Sequence, residues 1–285
     1  MRNVLNPAIL FLAIVSTAMG ADLTTLEAKG LTVRKAKDGA VIEAYVGPKA
    51  TLTPADYKAI GEFRDTLTRL NLSANEPRLN GEILAAIGPM PKVEQFFSNG
   101  ARLLDDDFRH FAGWTSLKKF GLDHWGWFET PNKQKVGPGL VHLAALPHLE
   151  ELRLGGCRVG DPAIEAVAKM EGLISLDIFH LGYSDQGTAA LGSLKKLVKL
   201  RINGGLLTGK SLENVSAIQS LETLTLSEMK LDYAGGFEHL KKLGKLTKIE
   251  LQKVKASDDD VSRLKADHPA AEVTWTKPEE TPKGR

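Results

Sequence analysis

The chain has 285 residues, and its 37 basic against 35 acidic side chains leave a formal net charge of +2, so its charge does not argue for a nucleic acid or an anionic membrane as partner. A single cysteine excludes an intrachain disulfide, even in an oxidising compartment. Beyond the first twenty residues no stretch approaches the ~20 consecutive apolar residues of a spanning helix.

Residues 1–20, MRNVLNPAILFLAIVSTAMG, carry Arg2, an apolar run from Ala8 to Val15, and the small residues Ala18 and Gly20 before Ala21. This is the pattern of a secretory signal peptide, and it predicts a secreted or periplasmic mature chain without a membrane span. Residues 21–40 lead into LTVRKAKDGAVIEAYV, which alternates around Asp38-Gly39 and predicts a β-hairpin that caps the apolar layer beginning at Val41.

From Val41 onward the apolar residues keep one metre. The spacing shown by Leu149, Leu152 and Leu154 begins at Val41, Leu67, Val93, Leu117, Leu149, Leu173, Leu197, Leu221, Leu246 and Ala270, in steps of 24 to 26 residues with one of 32. Leu152 and Leu154 alternate with Arg153, which makes a short strand with one outward side chain. Ile164, Val167, Met170 and Leu173 then fall three apart, the spacing of a helical or 3₁₀ return. No single unit can bury its apolar side, so successive units are expected to stack, pairing about ten strands in parallel over residues 41–276. AAEVTWT, with Trp275, supplies the last strand, and residues 277–285 hold no apolar side chain and are expected to form a disordered tail.

Leu149, Leu152, Leu154, Cys157 and Asp161 read L-x-x-L-x-L-x-x-C-x-x-x-D, and Leu67, Leu70, Leu72 and Asn75 complete the asparagine form of the same pattern. On these residues the chain resembles the cysteine-containing class of leucine-rich repeats, and with its leader it is similar to secreted bacterial proteins of that type. The resemblance implies an α/β fold, a right-handed ribonuclease-inhibitor-like horseshoe whose concave face is a parallel sheet. It implies nothing about the ligand, because such scaffolds host binders of many kinds.

Gly204 to Ser211, GGLLTGKS, satisfies the phosphate-cradling pattern G-x-x-x-x-G-K-S between a strand and an apolar series. The next strand nevertheless begins after only 24 residues, too few for the ~30-residue strand-helix-strand unit that the motif needs, and LETLTL lacks the Mg²⁺-binding Asp. The repeat metre accounts for every apolar residue there. Cys157 fits the buried bend that the pattern reserves for Asn or Cys. His124 and His180 sit two rungs apart with Gly156 between them, about 10 Å, too far for an easy shared metal.

Two features point to recognition. The outward residues of the strands run Tyr45, Asn71, Phe97, Gly121, Arg153, Asp177, Arg201, Thr225, Glu250 and Thr274, with an Arg-Asp-Arg ladder at the centre. The 32-residue step places its extra residues in WGWFETPNKQKVGP, residues 125–138, an insertion at one edge of the stack that is rich in tryptophan. The expected ligand-facing residues are Asp123, His124, Trp125, Trp127, Phe128, Arg153, Asp177, His180 and Arg201, with no catalytic residue, cofactor or metal. The expected partner is a protein or another extracytoplasmic macromolecule. The alternative is a hydrolase or nucleotide-dependent enzyme that uses the His/Asp/Arg patch or GGLLTGKS.

Overall fold

The structure is a computed structural model that describes residues 23–128, 136–204 and 206–279. The leader assigned to residues 1–20, the polar half of the inserted loop and the end of the tail lie outside these residues.

One sheet holds eleven strands in sequence order: β1 (Leu31–Lys35), β2 (Val41–Val46), β3 (Arg69–Leu72), β4 (Gln95–Asn99), β5 (Lys119–Asp123), β6 (Glu151–Gly155), β7 (Ser175–Phe179), β8 (Lys199–Asn203), β9 (Thr223–Ser227), β10 (Lys248–Gln252) and β11 (Glu272–Thr276). β1 and β2 are antiparallel around a turn in which Gly39 takes φ +88°, and every later pairing is parallel. The ten rungs of the repeat are therefore β2 to β11, and the eleventh strand is the outer arm of the hairpin cap.

The register stacks equivalent residues without slippage. Leu152 pairs with Leu176 and Leu176 with Leu200, and the same column runs back through Phe120, Phe96 and Leu70. All six are buried, which is worth ~1.5–3 kcal/mol for each side chain relative to exposure. Between strands the chain returns through one layer of short helices, including Pro54–Ile60, Gly81–Ile87, Asp161–Val167, Asp185–Ala190, Gly209–Val215 and Asp258–Asp267, and through 3₁₀ segments at Asp105–Gly113, Pro138–Ala145 and Phe237–Lys242.

A carboxylate staples consecutive returns together. Asp161 accepts the Ser184 backbone N–H (2.7 Å) and hydroxyl (2.7 Å), and one rung later Asp185 accepts the Thr208 N–H (2.9 Å) and hydroxyl (2.6 Å). Ser184 and Thr208 are the N-caps of the helices after them, so in these two rungs the acid fixes the start of the next helix. On the opposite side of the rung, five of the strands leave through a left-handed residue: His124, His180, Glu228 and Lys253 have φ of 54–55°, and Gly156 takes the equivalent place with φ 61°.

Two rungs replace leucine with aromatics. Phe96, Phe108, Phe111, Trp114, Phe120 and Trp125 are all buried, with ring centroids 5.0–6.3 Å apart, mostly edge to face. At the far end Trp275 packs partly buried on the last rung and donates its indole N–H to Val254 O (2.9 Å). The expected tail is not free from its first residue, since Lys277 lies over the Trp275 ring and pairs with Asp258 at 2.8 Å.

Candidate ligand surface on the open sheet face

The helices cover one face of the sheet, and the other face is open. Its middle column pairs as the strand spacing predicts, from Tyr45 with Asn71 through Arg153 with Asp177 and Asp177 with Arg201 to Glu250 with Thr274. The parallel register brings charges from neighbouring rungs within reach of one another.

Arg153 is held by two carboxylates. Its Nε and Nη2 donate to the two oxygens of Asp123, each at 3.2 Å, and its Nη1 donates to Asp177 Oδ2 at 2.7 Å. Arg201 is not. It stands 3.8 Å from Asp177 Oδ1 and donates weakly to Gln252 Oε1 at 3.4 Å. Arg201 Nε and Asp177 Oδ1 are buried atoms without a hydrogen-bond partner. Burial pushes the Asp177 carboxyl up from its ordinary value, against the pull of Arg201 and Arg153. Burial works against the Arg153 charge as well, but Asp123 and Asp177 outweigh it and raise its pKa.

Phe179 stands at the centre of this network. It is two residues beyond Asp177 on the same face of β7, and both guanidinium groups lie against its ring, Arg153 at 4.7 Å and Arg201 at 4.9 Å. The ring is seated over Gly155. A Cβ on Gly155 would lie 2.3 Å from both Phe179 Cζ and Asp123 Oδ1, so any side chain at 155 would push the ring and the acid apart. Phe179 and Gly155 were not among the expected site residues, although two-residue alternation from Asp177 was a sufficient signal for the first.

The inserted loop divides its aromatics. Trp125, expected to face a ligand, is instead fully buried: it packs at 5.0 Å from Phe108 and donates its indole N–H to Leu103 O (2.8 Å). Packing against Phe108 buries the ring and the bond to Leu103 O satisfies its one polar atom, so Trp125 belongs to the core. Phe128 is partly buried against the same core. Trp127 is 60% exposed, its indole N–H donating to Gly156 O and Arg158 lying 5.6 Å over its ring. Residues 129–135 of the loop lie outside the described residues.

His124 and His180 do not converge. His124 Nδ1 is 2.9 Å from Asn99 Oδ1, and His180 Nε2 is 2.8 Å from Glu228 Oε2, reaching past the glycine of the intervening rung. The hydrogen bond from His180 holds the Glu228 carboxyl below its ordinary value. Among the described residues no group of three or more His, Cys, Asp or Glu side chains could hold a metal ion. Cys157 is buried at the bend, its thiol pushed up to about 12 by desolvation.

In the phosphate-like stretch, Thr208 already gives its N–H and hydroxyl to Asp185, and Lys210 pairs with Glu213 at 2.7 Å. A carboxylate thus takes the donors at the helix start that a phosphate would need, and the helix has only seven residues.

Parallel rungs in unbroken order, a hairpin cap and one layer of helical returns define a leucine-rich-repeat solenoid. No family model matches the chain, and no curated protein matches it. Among solved structures it is similar to internalin C2 from Listeria monocytogenes, with a TM-score of 0.51 and 17% identity over 80% of this chain and 86% of that one. It also aligns with a second internalin of that organism (TM-score 0.45, 15% identity, 79% and 71% covered). A third match is the ectodomain of the Arabidopsis receptor kinase HAESA in complex with a peptide hormone (TM-score 0.49, 15% identity, 82% and 40% covered). The likeness to internalin C2 shows the shared fold.

Proposed function

We propose that the chain is an extracytoplasmic, non-enzymatic binding protein of the cysteine-containing leucine-rich-repeat type, which recognises a protein through the open sheet face around Phe179 and the loop edge that carries Trp127. The observation that carries this reading is the half-made charge ladder. Arg201, 36% exposed, makes one weak hydrogen bond at the centre of a broad surface, whereas Arg153 beside it donates three to two carboxylates. An under-bonded, part-exposed guanidinium beside an aromatic ring is what a partner's carbonyl or carboxylate oxygens can complete. The leader pattern in residues 1–20 supports the location, and buried Cys157 with Asp161 at the next helix start supports the subclass.

The test is capture of protein from the extracytoplasmic fraction of the source organism by the immobilised wild type and by a Trp127→Ala, Arg201→Ala double variant. The variant is expected to lose the captured partner while its melting temperature stays within a few degrees. Equal capture by both proteins would remove the proposal.

A further inference from the structure

The N-terminal half of the open face carries a further groove, which ends on Arg153 and Asp177 of the surface described above and to which neither Trp127 nor Arg201 contributes. Two shallow depressions, of about 260 Å³ over β1 to β3 and about 380 Å³ over β3 to β7, share Arg69 and Asn71 and so form one groove that crosses the strands. Tyr45, 42% exposed, and half-buried Phe97 lie in this groove two rungs apart in the same column, a separation of roughly 10 Å from the strand spacing.

Both rings lie down on the sheet over a glycine. A Cβ on Gly47 would be 3.1 Å from Tyr45 Cε1 and 3.4 Å from its hydroxyl oxygen, and one on Gly121 would be 2.8 Å from Phe97 Cδ2. The rings therefore line the groove as platforms and leave no deep socket between them.

The polar groups between the platforms are turned the same way. Gln95 Oε1 accepts from Arg69 Nε (3.0 Å) and Asn71 Oδ1 accepts from Ser73 Oγ (2.6 Å), so each amide uses its oxygen within the protein and keeps its NH₂ for a ligand. Arg34 and Arg69 share a single oxygen of Glu43, at 2.6 and 2.9 Å, which leaves one excess positive charge. The two arginine side chains are 61% and 52% exposed and the glutamate 22%, so the cations stand above the acid that pairs them. A matching ligand offers oxygen acceptors, negative charge and flat apolar faces in repetition.

We propose that this groove binds an anionic glycan strand of the uronate type, with sugar rings stacked on Tyr45 and Phe97 and carboxylates paired with Arg34 and Arg69. A sugar ring has an apolar C–H face bordered by oxygen acceptors, and because one unit of a strand is about as long as one rung is wide, alternate units repeat that face at a spacing close to two rungs. A peptide anchored by its side chains needs sockets that this groove lacks, and a nucleic acid needs several phosphate-neutralising cations where this groove has a single excess charge.

The experiment is titration of the folded protein with a fluorescent oligogalacturonate, with a neutral cello-oligosaccharide, a polyglutamate peptide and an oligothymidylate as comparison probes. Oligogalacturonate is expected to bind most tightly. Tyr45→Ala and Phe97→Ala should each weaken binding by about tenfold, and Arg69→Gln should erase the preference over the neutral sugar. The Trp127→Ala, Arg201→Ala variant should bind oligogalacturonate as the wild type does, which separates this result from the capture of a protein partner. Tyr45 is exposed, so its variant keeps the test decisive if Phe97→Ala misfolds. Absence of saturable oligogalacturonate binding, unchanged affinity in Tyr45→Ala, or tighter binding of polyglutamate or oligothymidylate would each overturn the proposal.

Discussion

The regular rungs from β6 to β9 and the wide step from β5 to β6 solve one packing problem with different residues. In the regular part the interior is leucine and isoleucine, the returns are α-helical, and Asp161 and Asp185 reach staple partners 23 residues further on. In the wide part Phe120 and Trp125 join the leucines of the interior and the return is 3₁₀, yet Asp105 Oδ1 accepts the backbone N–H groups of Gly137 and Gly139, both at 2.9 Å, across 32 and 34 residues. The carboxylate staple survives a change of loop length that the side-chain pattern does not. What is shared between rungs is thus the backbone contact that holds one return on the next.

The sharpest way to break this comparison is to remove one ring from each side of the inserted loop. Trp125→Ala opens a cavity in the aromatic interior and is expected to cost ~3–5 kcal/mol of unfolding free energy in urea. Trp127→Ala, on the exposed side, should cost less than ~1 kcal/mol. The reverse order would place the loop outside the core. Next in size come the staples. Asp105→Ala and Asp161→Ala should each destabilise by about 1–3 kcal/mol, because each leaves inward-facing N–H groups unpaired. If only Asp161→Ala is costly, the wide rung is held by other means.

The two central arginines sharpen the comparison on the open face. Arg153→Ala strands Asp123 and Asp177 without their shared partner, and the pairs are part-exposed, so a loss of about 1 kcal/mol remains after solvent screening. Arg201→Ala should lie within ~0.5 kcal/mol of wild type. The smallest effect is that of His268, buried near the end of the last return. Burial lowers its pKa from the ordinary 6.5, so the unfolded chain takes up a proton below 6.5 that the folded chain resists. Stability should fall as pH drops through 6.5, and His268→Gln should flatten that part of a denaturation series. An unchanged slope would show that the acid sensitivity arises elsewhere.

The Arg-Asp-Arg ladder was legible because β-alternation and a fixed metre together dictate which side chains become neighbours. The fate of the inserted aromatics was not legible. Trp125 and Trp127 are two residues apart in a stretch without periodicity, and a sequence pattern that has lost its period no longer says which side is inward. Nor could the pattern show that Arg153 is held by two carboxylates and Arg201 is not. That difference depends on whether a guanidinium reaches one carboxylate or two, a matter of about an ångström.

By itself the amino-acid order determined the solenoid, its ten rungs, the hairpin cap and the column of outward residues, because stacking like on like is the one arrangement that buries a repeated apolar side. Tertiary structure alone decided that Trp125 is core and Trp127 surface, that Phe179 is seated over Gly155, and that Asp177 and Arg201 keep unmet polar atoms. These outcomes depend on the volume left between neighbouring rungs and on the reach of individual side chains, and neither is written in the spacing of the leucines.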